Sequence, residues 1–235
     1  MSSSRELKAD LHLHTGEDPE DNIEYTAEQL INEASRHKFD VLAITNHNRV
    51  TYNYYLKKYA LDKKILLIPG IELKVEKKHV ILLNVNDRIE RKIKRLEELR
   101  YYKNESSLVV APHPYFPTFA SLGAKLDRHI HIFDAIEYTN FYFKRINFNK
   151  KAERKAKEYN LPLLGVSDAH LLYQFGLTYS LIEAEKTPEA VIQAIRKNKV
   201  KVVTRPLELN GFNIILSLKH TVGQILGVRK RFFLK

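Results

Sequence analysis

The sequence of 235 residues has no cysteine. That absence excludes disulfide frameworks, cysteine-ligated zinc, iron–sulfur clusters and thiol catalysis, so any metal site must be built from His, Asp and Glu. Tryptophan is also absent, there is one methionine, and no repeat or low-complexity linker interrupts the chain. No apolar run approaches the ~20 residues that span a bilayer. Met1 to Lys8 lacks the apolar core of a signal peptide, which leads us to expect a soluble, cytoplasmic protein. Acidic residues are in deficit: 39 Lys and Arg face 28 Asp and Glu, a net charge of +11. Such an excess suits acidic partners, namely nucleic acid, phosphorylated small molecules or an anionic surface, or else a lysine-rich exterior.

What is present is an alternation of short apolar runs with longer amphipathic ones. Strands are expected at Ala9–His14, Phe39–Thr45, Ile65–Ile68 (ended by Pro69-Gly70), His79–Val85, Leu108–Ala111, Phe133–Tyr138, Leu161–Val166, Tyr179–Glu183 and Val200–Thr204. Helices are expected at Thr26–His37, Tyr52–Leu61, Asp87–Tyr102, Asn149–Tyr159 and Pro188–Asn198. Thr26 is the expected N-cap of the first, with Leu30, Ile31 and Ala34 facing inward. This order argues for an α/β fold with a mostly parallel sheet, closed or nearly closed into a barrel over residues 1–208. Residues 209–235 form an extension. Within it Gly211 to Lys235 reads as an amphipathic helix with a basic cluster, either packed on the barrel or docking a partner, RNA or an anionic membrane.

The ionisable residues gather at strand ends. His12 and His14 close the first strand, His47 follows the second, Glu72 the third, His113 the Val109-Val110-Ala111 run, and Asp168 and His170 the Leu163–Val166 run. In a parallel barrel those ends meet on one face. His12 and His14, two apart on a strand, point to the same side. Imidazole and carboxylate ligands suit zinc, manganese or iron, and this number of ligands suits two or three ions. Clustered ions in turn suit in-line displacement at phosphorus.

These residues stand in motifs: Asp10-Leu11-His12-Leu13-His14-Thr15, Ile44-Thr45-Asn46-His47-Asn48, Gly70-Ile71-Glu72, Pro112-His113-Pro114 and Ser167-Asp168-Ala169-His170. In order and spacing, from about residue 8 to 205, the set resembles the polymerase and histidinol phosphatase (PHP) family. The resemblance implies a distorted (β/α)7 barrel and metal-dependent phosphoesterase activity. It implies that His12, His14, Glu72 and Asp168 hold one metal, that Glu72 bridges to a second bound by His113, and that His47 and His170 hold a third. The third would take a further ligand from the loop after the first strand. There the family's aspartate position falls on Pro19, which leaves Asp18 and Asp21 as alternatives. Asn46 stands where the family has an aspartate. His79 matches a position where some relatives place another ligand or a phosphate contact, and Glu137 and Asn140 reach the same mouth.

The expected reaction is hydrolysis of a phosphomonoester or nucleotide by a metal-activated water. Glu72, Asp168 and His170 are the expected catalytic residues, and Arg49, Lys74 and His79 the substrate-binding ones. A nuclease acting on nucleic-acid ends is the alternative, for which Tyr52, Tyr54, Tyr55, Tyr101 and Tyr102 are stacking candidates if they do not pack against helices. A catalytically silent PHP-type binding module is the other.

Overall fold

The protein is described from a computed structural model over residues 4–86, 89 and 93–208. The expected C-terminal helix at Gly211 to Lys235 lies outside these residues.

Nine strands form one sheet: β1 (Arg5–Leu13), β2 (Val41–Ile44), β3 (Leu66–Val75), β4 (Lys78–Leu83), β5 (Leu108–Ala111), β6 (Ala135–Thr139), β7 (Leu163–Val166), β8 (Thr178–Ala184) and β9 (Val200–Thr204). Their spatial order is β7-β6-β5-β4-β3-β2-β1-β8-β9. Helices α1 (Ala27–Arg36), α2 (Tyr54–Asp62), α3 (Lys125–His129), α4 (Asn149–Glu158) and α5 (Pro188–Arg196) lie between them in the chain. α1 begins as its sequence requires. Thr26 accepts from Gln29 N in a capping box, and Leu30, Ile31 and Ala34 are buried. Val41-Leu42-Ala43-Ile44 is buried throughout because its alternate residues join two different clusters. Val41 and Ala43 pack with Leu11, Ile68 and Val110, while Leu42 and Ile44 pack with α1 and α2.

The sheet is mixed rather than mostly parallel. β1–β2, β2–β3, β5–β6 and β6–β7 pair parallel; β3–β4, β4–β5, β1–β8 and β8–β9 pair antiparallel. The reversal at β3–β4 is a two-residue hairpin in which Glu76 and Lys77 take φ of 48° and 64°, both left-handed as a type I′ turn demands. Pro69-Gly70 does not end β3. Leu66 to Pro69 pair with β2, and Gly70 onward pairs with β4. The missing N–H of Pro69 therefore falls where the strand changes partners. A Cβ on Gly70 would stand 2.8 Å from Thr45 Cγ2, so glycine allows this close crossing. Of the helix expected over Asp87 to Tyr102, the described part is a 3-10 helix at Leu96–Tyr102. Within it Leu96 and Leu99 are both buried, three positions apart as the period of that helix requires, and Ile93 ahead of it is buried too.

The two ends of the sheet meet at β7. Asp168 N donates to His12 O at 3.0 Å, Ser180 Oγ to Gly165 O at 2.9 Å, and Tyr25 Oη to Ala169 O at 2.8 Å. The result is a nearly closed, distorted barrel. Gly165 permits the closure, since a Cβ there would lie 2.6 Å from Tyr179 O. Gly165→Ala should therefore cost about 1–3 kcal/mol, read as a lower urea midpoint. An unchanged midpoint would show that the seam is slack.

Candidate metal centre

β1 delivers His12 and His14, both fully buried, to the mouth of the barrel. β3 delivers Glu72, whose two oxygens divide the histidines. Oε2 faces His47 Nε2 at 3.0 Å, His14 Nε2 at 3.3 Å and His12 Nε2 at 3.5 Å. Oε1 faces His79 Nδ1 at 2.8 Å and His113 Nε2 at 3.2 Å. Asp168 Oδ1 lies 3.2 Å from His12 Nε2 and 3.3 Å from His14 Nε2. Two of these residues hold unusual backbone. His113 and Asp168 have φ of 28° and 49°, a left-handed region costly for residues with a Cβ.

Around this centre a second set of side chains fixes ring orientation. Glu137 spans His12 Nδ1 with both oxygens, at 3.0 and 3.1 Å, and accepts from His113 N at 3.1 Å. Asp18 Oδ2 faces His14 Nδ1 and His47 Nδ1, each at 3.0 Å, and accepts from His47 N at 2.8 Å. Its other oxygen accepts from Glu20 N and Asp21 N. Both Asp18 oxygens thus face rings or amides, whereas Asp21 lines the cavity with Oδ2 2.7 Å from His170 Nε2. Asn46 brackets the loops, accepting from Thr15 N and donating to the hydroxyls of Thr15 and Thr51. Gln174 Oε1 accepts from His170 N and Leu171 N, and Asn140 donates to Gln174 O. Asp10 carries no role legible from its sequence position. It is wholly buried, accepts from Ser167 N at 3.1 Å, and is pushed up to about 7 by burial.

The electrostatics show what the cluster requires. Burial alone would lower its imidazoles, but the facing carboxylates prevail. Asp168, Glu137 and Glu72 hold His12 well above its ordinary range; Glu72 and Asp18 do the same for His47. Asp168, Asp18 and Glu72 raise His14 to about 10, and His113 is also raised, chiefly by Glu72. Burial would raise the carboxylates, yet the histidines hold Asp18, Asp21, Glu72 and Asp168 below the usual range. Protons are nonetheless a poor solution. His12 Nε2 and His14 Nε2 are 3.0 Å apart, so at most one proton fits between them. Asp168 Oδ1 and His79 Nδ1 are buried without an aligned hydrogen bond. Imidazole and carboxylate lone pairs converging in this way are compatible with metal binding. The groups His12-His14-Glu72, His14-His47-His170 and His47-Glu72-His79 are each close enough to share an ion.

The cluster opens into a cavity of about 660 Å³. Glu20, Asp21, Lys74, His47, His79, His113, His170 and Asp168 form its polar side, and Phe116, Phe141, Leu171 and Leu207 its apolar side. Lys74 stands there with Nζ 3.8 Å from Glu20. Arg49 is not among the lining residues; its guanidinium donates to Glu17 O at 2.9 Å. None of the candidate tyrosines lines the cavity. Tyr54, Tyr55 and Tyr101 are exposed, and Tyr52 and Tyr102 pack against the core.

The charge state of the cluster sets a pH dependence. In metal-free protein the raised His14 contributes stability that is complete below its unfolded pKa of about 6.5 and is lost as pH rises through about 10. The lowered carboxylates contribute above about pH 4 and lose that contribution as pH falls. The thermal midpoint of chelator-treated protein should decline from about pH 6.5 toward pH 10. Divalent metal should remove the decline by displacing those protons. A flat profile in chelator would contradict the cluster's charge state.

Comparison with known proteins bears on the fold. A family model described as PHP-associated matches residues 147–200. The uncharacterized protein MJ1587 of Methanocaldococcus jannaschii is 28% identical over 148 residues, which cover 59% of this chain and 84% of that protein. A two-domain Bacteroides vulgatus protein, containing a predicted PHP-like metal-dependent phosphoesterase, superposes with a TM-score of 0.68 at 18% identity. The alignment covers 86% of this chain and 66% of that one. A lesion-specific endonuclease of Pyrococcus furiosus superposes with a TM-score of 0.63 at 17% identity, covering 84% of this chain and 58% of its own. At such identities the two structures share the fold, and this chain spans about two thirds or less of their length. A PHP-associated model thus matches residues 147–200, and over most of its length the chain shares the barrel fold of PHP-like proteins.

Proposed function

We propose that the chain is a metal-dependent phosphoesterase, hydrolysing a phosphomonoester or a nucleotide. The observation that carries this reading is the 3.0 Å approach of His12 Nε2 to His14 Nε2 between the buried carboxylates Glu72 and Asp168, an arrangement that a shared cation would satisfy. His12, His14, Glu72 and Asp168 would hold one ion. Glu72 Oε1 with His79 and His113 would hold a second, and His47, His170 and Asp21 a third. The donor set suits zinc, manganese or iron. Divalent ions bound there supply Lewis acidity and a water ionised near neutral pH.

The remaining work belongs to the chain's own residues. Glu137 keeps a proton on His12 Nδ1 and so directs the Nε2 lone pair into the centre. Asp18 does the same for His14 and His47. Glu72, Asp168 and His170 face the reacting phosphate. Lys74, on the cavity wall, places a cation against its non-bridging oxygens. Phe116, Phe141 and Leu207 receive the organic part of the ester and exclude water.

His12→Ala and Asp168→Ala should reduce hydrolysis of p-nitrophenyl phosphate and its diester, assayed with manganese, zinc and iron, to background while circular dichroism stays native. Full turnover in either variant would refute the assignment. Glu137→Gln should weaken metal affinity or activity by about 10–100-fold, measured by metal titration. A wild-type protein that turns over no ester would leave a silent binding module as the reading. A nucleic-acid strand as the ester is the second reading, favoured by a cationic surface beside the cavity.

A further inference from the structure

Between Phe141, which lines the cavity, and α4 the chain makes a small hairpin. Tyr142 and Asn147 form an antiparallel bridge, and Phe143 and Ile146 exchange backbone hydrogen bonds at 2.8 and 3.2 Å. The turn at its tip is Lys144-Arg145, and both residues are exposed. Aromatic contacts fix the hairpin's base to the cavity wall. Phe116 lies 5.1 Å from Phe141 and meets Phe148 edge-on at 5.6 Å, centroid to centroid. α4 follows at once. Its inner face buries Asn149, Ala152 and Ala156, and its outer face exposes Lys150, Arg154 and Lys157 at i, i+4 and i+7. That spacing puts the three on one stripe about 10 Å long. Among the described residues no ion pair engages Lys144, Arg145, Lys150, Arg154 or Lys157. The exposed acid of the helix, Glu158, is already paired with Lys155 at 3.0 Å.

Five exposed cations unpaired with acids make a surface suited to an external polyanion. Its position selects among polyanions. The surface starts at the aromatic wall of a cavity that takes one phosphate ester and leads away from it. A chain of phosphates carrying planar rings fits both parts: rings against Phe116 and Phe141, and successive phosphates along the stripe. A membrane fits less well, because the hairpin exposes a single large apolar residue, Ile146.

We propose that the 142–147 hairpin and the outer face of α4 form a backbone track for a single-stranded nucleic acid whose end or reactive linkage enters the metal-lined cavity. The placing of that linkage rests on the phosphoesterase reading; the binding surface does not, and the experiment separates the two. The full chain would be titrated, by fluorescence anisotropy at several salt concentrations, with a labelled oligothymidylate whose phosphorothioate linkages resist cleavage. The variant carries Lys144→Gln, Arg145→Gln, Lys150→Gln, Arg154→Gln and Lys157→Gln. A control variant carries Lys57→Gln, Lys58→Gln, Lys63→Gln, Lys197→Gln and Lys201→Gln, with the same change in net charge elsewhere on the exposed surface. The track variant should lose at least ~10-fold in affinity, and its log–log salt slope should shrink by about 0.7 per lost contact. The control should bind like wild type, and both should hydrolyse p-nitrophenyl phosphate at the wild-type rate. Unchanged binding by the track variant, or equal loss in the control, overturns the proposal even if ester hydrolysis is intact. So does a loss confined to vesicles of three parts phosphatidylcholine to one of phosphatidylglycerol. Absent ester hydrolysis with track-dependent binding would overturn the phosphoesterase reading and leave the surface standing.

Discussion

One buried carboxylate organises the site. Glu72 is 1% exposed, and both of its oxygens face imidazoles, three on one side and two on the other. An anion so placed is tolerated only where positive charge surrounds it. The histidines that face it are themselves buried and are held in turn by further acids, Glu137 and Asp18. Each layer requires another, until the chain of polar contacts ends on backbone amides such as His47 N, Glu20 N and Asp21 N. The left-handed backbone at His113 and Asp168 follows from the same demand. Both residues are bent into a shape that their position in the cluster, and not local propensity, requires.

The parts legible in the sequence were those with a local signal. Strand-end histidines announce themselves because an imidazole directly after an apolar run marks the point where the strand leaves the core. The first helix is likewise written in Thr26, Leu30, Ile31 and Ala34. The barrel was legible from alternation, but the strand directions were not. A two-residue hairpin at Glu76-Lys77 looks like any charged turn until both residues are seen at positive φ. Partnerships across the barrel were also hidden. Glu137 could be placed near the mouth, yet its grip on His12, 125 positions away, depends on registers that no single segment encodes. Asp18 and Asp21 looked equivalent beside Pro19. The structure separates them by direction, with Asp18 turned to the amides and rings behind the cluster and Asp21 turned to the cavity.

Charge shows a similar division between the global and the local. The net +11 belongs to the whole chain, yet the cavity wall sets Glu20, Asp21, Glu72 and Asp168 against a single lysine, Lys74, beside four histidines. The basic excess lies outside the chemistry, partly on α4, where inward Ala152 and Ala156 leave the outer face free for lysine and arginine. A composition figure therefore described the approach to the site and not the site.

The seam at β7 has a consequence for how such a centre is assembled. The residues that surround Glu72 come from position 12 to position 168 or 170, and the last of them sit where the two ends of the sheet meet, joined by Asp168 N to His12 O and by Ser167 N to Asp10. No partly folded form with an open seam has the full donor set. Any cation that needs it binds the closed barrel alone and, by mass action, draws the population toward closure. On the proposed metal-dependent reading, ion loading would then be a checkpoint on chain topology, since a barrel whose ends have failed to meet has no complete site to fill.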